Sequence, residues 1–121
     1  MKPFPFLLCL MTFFGCKAAD FRSVDAETFA KVIEDTTVVR LDVRTANEYA
    51  QGHIPNALLI DVTQADFMQK AEQLLPKDKT IALYCRSGRR SKNAAMQLAQ
   101  HGYQVVELNT GFNSWKGEIE R

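Results

Sequence analysis

Hydrophobic positions along this chain switch between a period near two and a period near three and a half, and the switches divide it into alternating strand-like and helix-like segments. Phe21 to Val24 reads as a weak first strand. Asp25 to Ile33 then carries Phe29, Val32 and Ile33 on one helical face. Thr37 to Val43 is rich in β-branched residues and reads as a central strand. Thr45 with Glu48 three residues later forms a capping box, which predicts a short helix over Ala46 to Gln51 closed by Gly52. Ala57 to Ile60 is a brief strand. Thr63 or Asp61 is placed to cap the next helix, whose apolar positions are Phe67, Met68, Ala71, Leu74 and Leu75, with Pro76 ending it. Thr80 to Tyr84 is an apolar strand, Ser91 to His101 a helix with Ala94, Ala95 and Leu98 on its narrow apolar face, and Tyr103 to Leu108 a last strand. Strands alternating with helices predict an α/β domain with a largely parallel sheet, right-handed crossovers and helices on both faces. In such sheets ligands gather at the carboxyl ends of the strands.

The first residues depart from this pattern. Lys2 precedes an apolar run from Pro3 to Phe14, followed by Gly15 and Cys16. The run falls short of the roughly 20 residues a bilayer crossing needs, but it fits the core of an export signal. Residues 1–15 therefore read as a signal peptide, 16–20 as a short leader, and 21–121 as the folded domain. Gly15-Cys16 resembles a bacterial lipobox, in which cutting before Cys16 is followed by lipid attachment to its thiol. Ordinary cleavage within Gly15 to Ala19 and a retained anchor are the alternatives. Export places the domain in the periplasm, membrane-attached if Cys16 is lipidated.

A chain of 121 residues with 46% apolar residues is enough for one ordinary core. Losing residues 1–15 removes only Lys2 from the basic residues and leaves a nearly neutral domain, so the composition gives no case for nucleic acid. The charge is unevenly placed, however. Between Asp78 and Glu107 there is no acidic residue, while Lys79, Arg86, Arg89, Arg90 and Lys92 all fall there. A local positive field of this kind suits a small anionic substrate.

Cys85 sits within that field, where the Thr80 to Tyr84 strand meets the following helix, in the run Cys85-Arg86-Ser87-Gly88-Arg89-Arg90-Ser91. Loop N–H groups, a helix start and neighbouring arginines all favour a thiolate or a bound anion. The bland alternative is a buried cysteine acting as a small core hydrophobe, with the arginines forming a solvated face. Its position in a short basic turn argues for the reactive reading. Cys9 lies in the signal and Cys16 in the leader, so Cys85 has no evident disulfide partner in an oxidising compartment. His53 and His101 with one thiol offer no zinc spacing, so no metal is expected. Asp42 and Arg44 end another strand and are candidates to support the same mouth, although an ion pair at a strand end is the favoured reading of them. His53, between Gly52 and Pro55, is better read as fixing a turn than as a general base, and Trp115 as packing.

Four ordered pieces carry a family resemblance: Leu41-Asp42-Val43-Arg44; Glu48-Tyr49 with Gly52-His53-Ile54-Pro55-Asn56-Ala57; Cys85-Arg86-x-Gly88-x-Arg90; and Asn109-Thr110-Gly111-Phe112 with Trp115. In these the chain resembles the single-domain rhodaneses, of the small exported bacterial kind, over nearly all of residues 21–121. Asn56 and Thr110 depart from the glycines common at those places. The resemblance implies a five-stranded, mostly parallel sheet and a sulfurtransferase working through a cysteine persulfide without a cofactor. Cys85 would carry the sulfur, and Arg86, Ser87, Gly88, Arg89 and Arg90 would form the substrate-binding loop around it, with Arg89 at the family's variable place. The implied partners are a small anionic donor such as thiosulfate and a thiol or cyanide acceptor. A sulfur-carrier or interaction module with little turnover of free donor is the first alternative. Phosphatase or arsenate chemistry is disfavoured, because its C-x5-R loop would need arginine where Ser91 stands. A thiol redox role lacks the second cysteine of a C-x-x-C pair.

Overall fold

The computed structural model describes residues 20–121, so the segment read from the sequence as a signal peptide and leader, through residue 19 and including the lipidation candidate Cys16, lies outside the described residues. Five strands, β1 (Arg22–Val24), β2 (Val39–Asp42), β3 (Leu58–Leu59), β4 (Thr80–Tyr84) and β5 (Gln104–Leu108), form one sheet in the order β1-β5-β4-β2-β3. Every pairing is parallel. The helices are α1 (Ala26–Val32), α2 (Ala46–Gln51), α3 (Phe67–Leu74) and α4 (Arg89–Gln100), and a 3-10 turn covers Phe112–Ser114. No helix among the described residues is long and apolar enough to cross a membrane.

The period-two alternation of the central strands sorts the core into two layers. On one face Leu41, Val43, Ile81, Leu83 and Val105 pack with Phe67 and Ala71 of α3 and with Ala94, Ala95 and Leu98 of α4. On the other, Ala82, Tyr84, Val106 and Leu108 pack with Phe29, Ile33, Ile54 and Ala57. Cys85 follows Tyr84 and belongs to the α3/α4 layer, as a residue two beyond Leu83 must while the alternation lasts. That fixes the face on which the site is built.

The helix ends combine expected and unexpected solutions. Asp25 caps α1 by accepting from Thr28 N, and the capping box of α2 is complete, with Gly52 at its end. Neither Thr63 nor Asp61 caps α3. Asp61 instead accepts from both the N–H and the hydroxyl of Thr63 in a separate turn, and Asp66 begins the helix without a side-chain bond. Phe67 and Ala71 are buried as the spacing requires, but the chain turns extended at Leu75, which buries Leu75 and leaves Leu74 exposed. The Tyr103 hydroxyl donates towards the carbonyls of Ala71 and Leu75, holding that end of α3. The largest departure is at α4, which begins at Arg89 instead of Ser91. Arg89 and Arg90 are therefore residues of a helix's first turn, and the loop proper is confined to Cys85–Gly88.

Candidate active site

Gly88 makes the short loop possible. Its φ of 103° is left-handed, and a Cβ there would lie 1.9 Å from the Asn109 carbonyl oxygen. With no side chain, its N–H turns inward and donates to Cys85 Sγ at 3.1 Å. The loop is pinned from the C-terminal side by the 3-10 turn, where Phe112 N donates to Cys85 O at 2.8 Å and Asn113 N to Arg86 O at 3.0 Å. Gly111, at φ 69°, allows this close approach, since a Cβ there would meet Arg86 O at 2.3 Å.

Cys85 is a free thiol with 0% relative exposure, at the floor of the nest. Burial pushes the thiol up, but the Ser91 hydroxyl and the N–H groups of Ser91, Gly88 and Ser87 stabilise the thiolate more strongly. The net result lies below the ordinary thiol value. The cysteine is thus both a core residue and an activated one, so the two readings of it do not exclude each other.

The arginines are arranged differently from a simple ring around an anion. Glu48 of α2 accepts from Arg90 Nη1 at 2.8 Å and Nη2 at 3.0 Å, and from Arg86 Nε at 2.9 Å. The same carboxylate completes the capping box by accepting from Thr45 N at 3.1 Å. Arg90 above all, then Thr45 N and Arg86, hold the Glu48 carboxyl well below the usual carboxylate range despite its partial burial. Two arginines in or beside the first turn of α4 oppose its dipole, and Glu48 offsets that from the neighbouring helix. Arg89 is exposed and has no ion pair among the described residues. Together with Arg90, Asn93, Val62 and Thr63 it lines a shallow cavity of about 330 Å³ beside the start of α4.

Asp42 and Arg44 lie at the same end of the sheet but on the opposite face, because Asp42 pairs in register with Tyr84, not with Leu83. Arg44 donates to both Asp42 oxygens, Nε at 2.9 Å and Nη2 at 2.7 Å, and to Gly52 O at 2.7 Å. Its guanidinium lies 4.3 Å from the Phe112 ring centre. The pair does not reach the Cys85 side chain; it supports Phe112, whose N–H holds Cys85 O. His53 Nδ1 bonds Tyr49 O at 2.8 Å while its ring stacks on Tyr49, which ties down the turn after α2. Trp115 packs edge-on against Phe29.

Three residues of this arrangement were not singled out as site residues from the sequence: Glu48, Ser91 and Glu107. Ser91 Oγ lies 3.4 Å from Cys85 Sγ and donates to Glu107 Oε2 at 2.5 Å. Glu48 is legible from the sequence as a cap and as part of the family's Glu48-Tyr49 piece, but not as a partner of the loop arginines. Glu107 carried a signal in the strand alternation, which places it on the same face as Val105 and so against the core.

A short strand-to-helix nest around a thiol, at the carboxyl end of a five-stranded parallel sheet, defines a class of cysteine-based group-transfer domain. The chain belongs to the rhodanese-like family, whose model matches residues 25–118. It is 37% identical over 94 residues to a sulfurtransferase of Allochromatium vinosum, covering 76% of this chain and 85% of that one. It is 30% identical over 87 residues to a thiosulfate sulfurtransferase of Coxiella burnetii, covering 71% and 78%. The crystal structure of a rhodanese-related protein from Thermoplasma volcanium superposes with a TM-score of 0.72 at 28% identity, over 83% of this chain and 98% of that one.

Proposed function

We propose that this protein moves sulfane sulfur from a small anionic donor such as thiosulfate to cyanide or a thiol through a persulfide on Cys85. The single observation that carries the reading is the nest itself: a buried sulfur facing converging N–H groups of the loop and helix start, with its thiol lowered by them. In the first step the Cys85 thiolate attacks the outer sulfur of thiosulfate. The new S–S bond forms as the old one breaks, and sulfite leaves with the electron pair. In the second, the carbon of cyanide attacks the outer persulfide sulfur, giving thiocyanate and returning the thiolate. The loop N–H groups are aimed where negative charge rests in the persulfide.

Arg90 and Arg89, at the rim of the cavity beside α4, are the groups placed to meet the donor's oxygens. Arg90 is shared with Glu48, so an anionic donor competes with a carboxylate for it. That competition favours a second reading in which the domain serves as a sulfur carrier, loaded by a protein partner and turning over free donor slowly. For the segment outside the described residues we propose export to the periplasm by residues 1–15, with Cys16 as the lipidation site. The mass of the membrane-fraction protein tests this, and an unlipidated soluble product would defeat the Cys16 assignment. The function is tested by thiocyanate formation from thiosulfate and cyanide: wild type is expected to produce it and Cys85→Ser to give none above background. Equal rates would remove Cys85 from the reaction.

A further inference from the structure

Glu107 is the only carboxylate in β5, and at 0% exposure it lies on the same face as Val105, with Leu83 of β4 on one side and Ser23 of β1 on the other. The sulfur-transfer steps above make no use of it. Burying a carboxylate is costly unless its oxygens are served, and here they are: Ser23 of β1 donates to Oε1 at 2.6 Å, and Ser91 of α4 to Oε2 at 2.5 Å. Lys92 of α4 approaches Oε2 at 3.3 Å, while β4 presents only Leu83 at the paired register. On its other side Ser91 Oγ accepts from the Cys85 thiol at 3.4 Å. A continuous line therefore runs from Sγ through one hydroxyl to a buried carboxylate.

The count of protons along this line is decisive. A serine hydroxyl has one proton to donate. While Cys85 is a thiol the arrangement is satisfied, because Sγ–H donates to Ser91 and Ser91 donates to Glu107. Once Cys85 is a thiolate, sulfur and carboxylate both need the single Ser91 proton, and one of two buried anions is left facing an oxygen lone pair. The conflict disappears if a proton resides on Glu107.

We propose that Glu107 is the positioning group and proton store for Cys85, reached through Ser91. The S–H bond breaks and its proton passes to Ser91 Oγ, while the hydroxyl's own proton passes to Glu107 Oε2. Sulfur keeps the electron pair, and the total charge of the three groups is unchanged. Ser91 then donates to the thiolate and the Glu107 acid donates to Ser91. Negative charge moves from β5 to the nest, where Gly88 N and the other loop N–H groups receive it and Arg90, paired with Glu48 of α2, faces it from α4. Lys92 also contacts Gly88 O at 3.2 Å and Asn109 O at 3.4 Å, so it keeps partners when Glu107 becomes neutral.

The inference rests on Cys85 being the sulfur carrier, but its test needs no sulfur donor. In the full-length protein, at a pH where Cys85 and Glu107 together hold one proton, the infrared spectrum should show a carboxylic-acid carbonyl band alongside thiolate absorbance, and the band should vanish as that proton leaves at higher pH. The band should be absent in Cys85→Ser and in Glu107→Gln. The thiolate ultraviolet absorbance, with Cys85→Ser subtracted to remove the other cysteines, gives a second readout whose sign separates two roles. A fixed buried charge beside sulfur opposes ionisation, so its removal in Glu107→Gln would make the thiolate form at lower pH. A proton store favours ionisation, and its removal should leave about tenfold less thiolate at a pH below the midpoint, equivalent to one pKa unit upward. No acid band in wild type, or a thiolate formed more readily in Glu107→Gln, overturns the proposal. The wild-type infrared measurement remains decisive should Glu107→Gln fail to fold. A protein that shows the band but takes no sulfur would refute the sulfur-carrier role and leave the proton relay standing.

Discussion

Arg90 meets Glu48 in a two-point ion pair, Nη1 to Oε1 at 2.8 Å and Nη2 to Oε2 at 3.0 Å, so the family's loop arginine is fastened to the cap of another helix. The pair joins α2 to α4 across the mouth of the site. Glu48→Gln should cost about 2 kcal/mol, in the range for hydrogen bonds to charged groups. Because the folded carboxyl is held down, its stabilisation is fully present above the ordinary value of 4.5 and is lost as pH falls towards the folded value. Urea midpoints measured between neutral and acid pH should fall steeply below pH 4.5 in wild type. In Glu48→Gln that part of the slope should be missing. Parallel curves would mean that the ion pair contributes nothing to stability.

Gly88→Ala tests the nest. The substitution places a Cβ 1.9 Å from backbone oxygen at a φ of 103°, so the loop must shift and the N–H to Cys85 Sγ must move with it. We expect a loss of about 1–3 kcal/mol of stability, typical of strain at such backbone positions. Sulfur loading should fall by at least tenfold in the protein that remains folded. Unchanged loading would show that the Gly88 N–H is not needed.

Removing Arg44 separates support from chemistry. Arg44→Ala leaves Asp42 buried at 0% exposure without its partner, which costs about 3–5 kcal/mol by denaturant unfolding. Since Arg44 acts on the far face of the sheet, through Phe112, loading per folded molecule at low temperature should stay within a few-fold of wild type. Abolished loading in folded protein would place Arg44 in the chemistry instead.

What the sequence revealed, and what it hid, follows from how far each feature reaches. The capping box of Thr45 and Glu48 is local, as is the alternation in Thr80 to Tyr84, and both appear in the structure where the pattern puts them. The sequence points to Ser91 and not Arg89 as the start of α4, because Gly88 is an unusual left-handed N-cap with no side-chain bond, which leaves no Ser, Thr or Asp to mark it. Glu48 has a second task that depends on α2 standing beside α4, a fact of tertiary packing. Their shared strand-end position suggests one mouth for Asp42 and Cys85. The register of β2 against β4 puts them on opposite faces, and the parity of Leu41 and Val43 against Asp42 already carried that information. Ser91 and Glu107 meet only once α4 is laid over β5.

The most direct measurement is the intact mass of the protein after incubation with thiosulfate, followed by peptide mapping and a cyanide chase. The account predicts a gain of one sulfur atom located on Cys85, its removal by cyanide as thiocyanate, and no gain in Cys85→Ser. A wild-type protein that acquires no sulfur, or a Cys85→Ser protein that acquires as much, would contradict it.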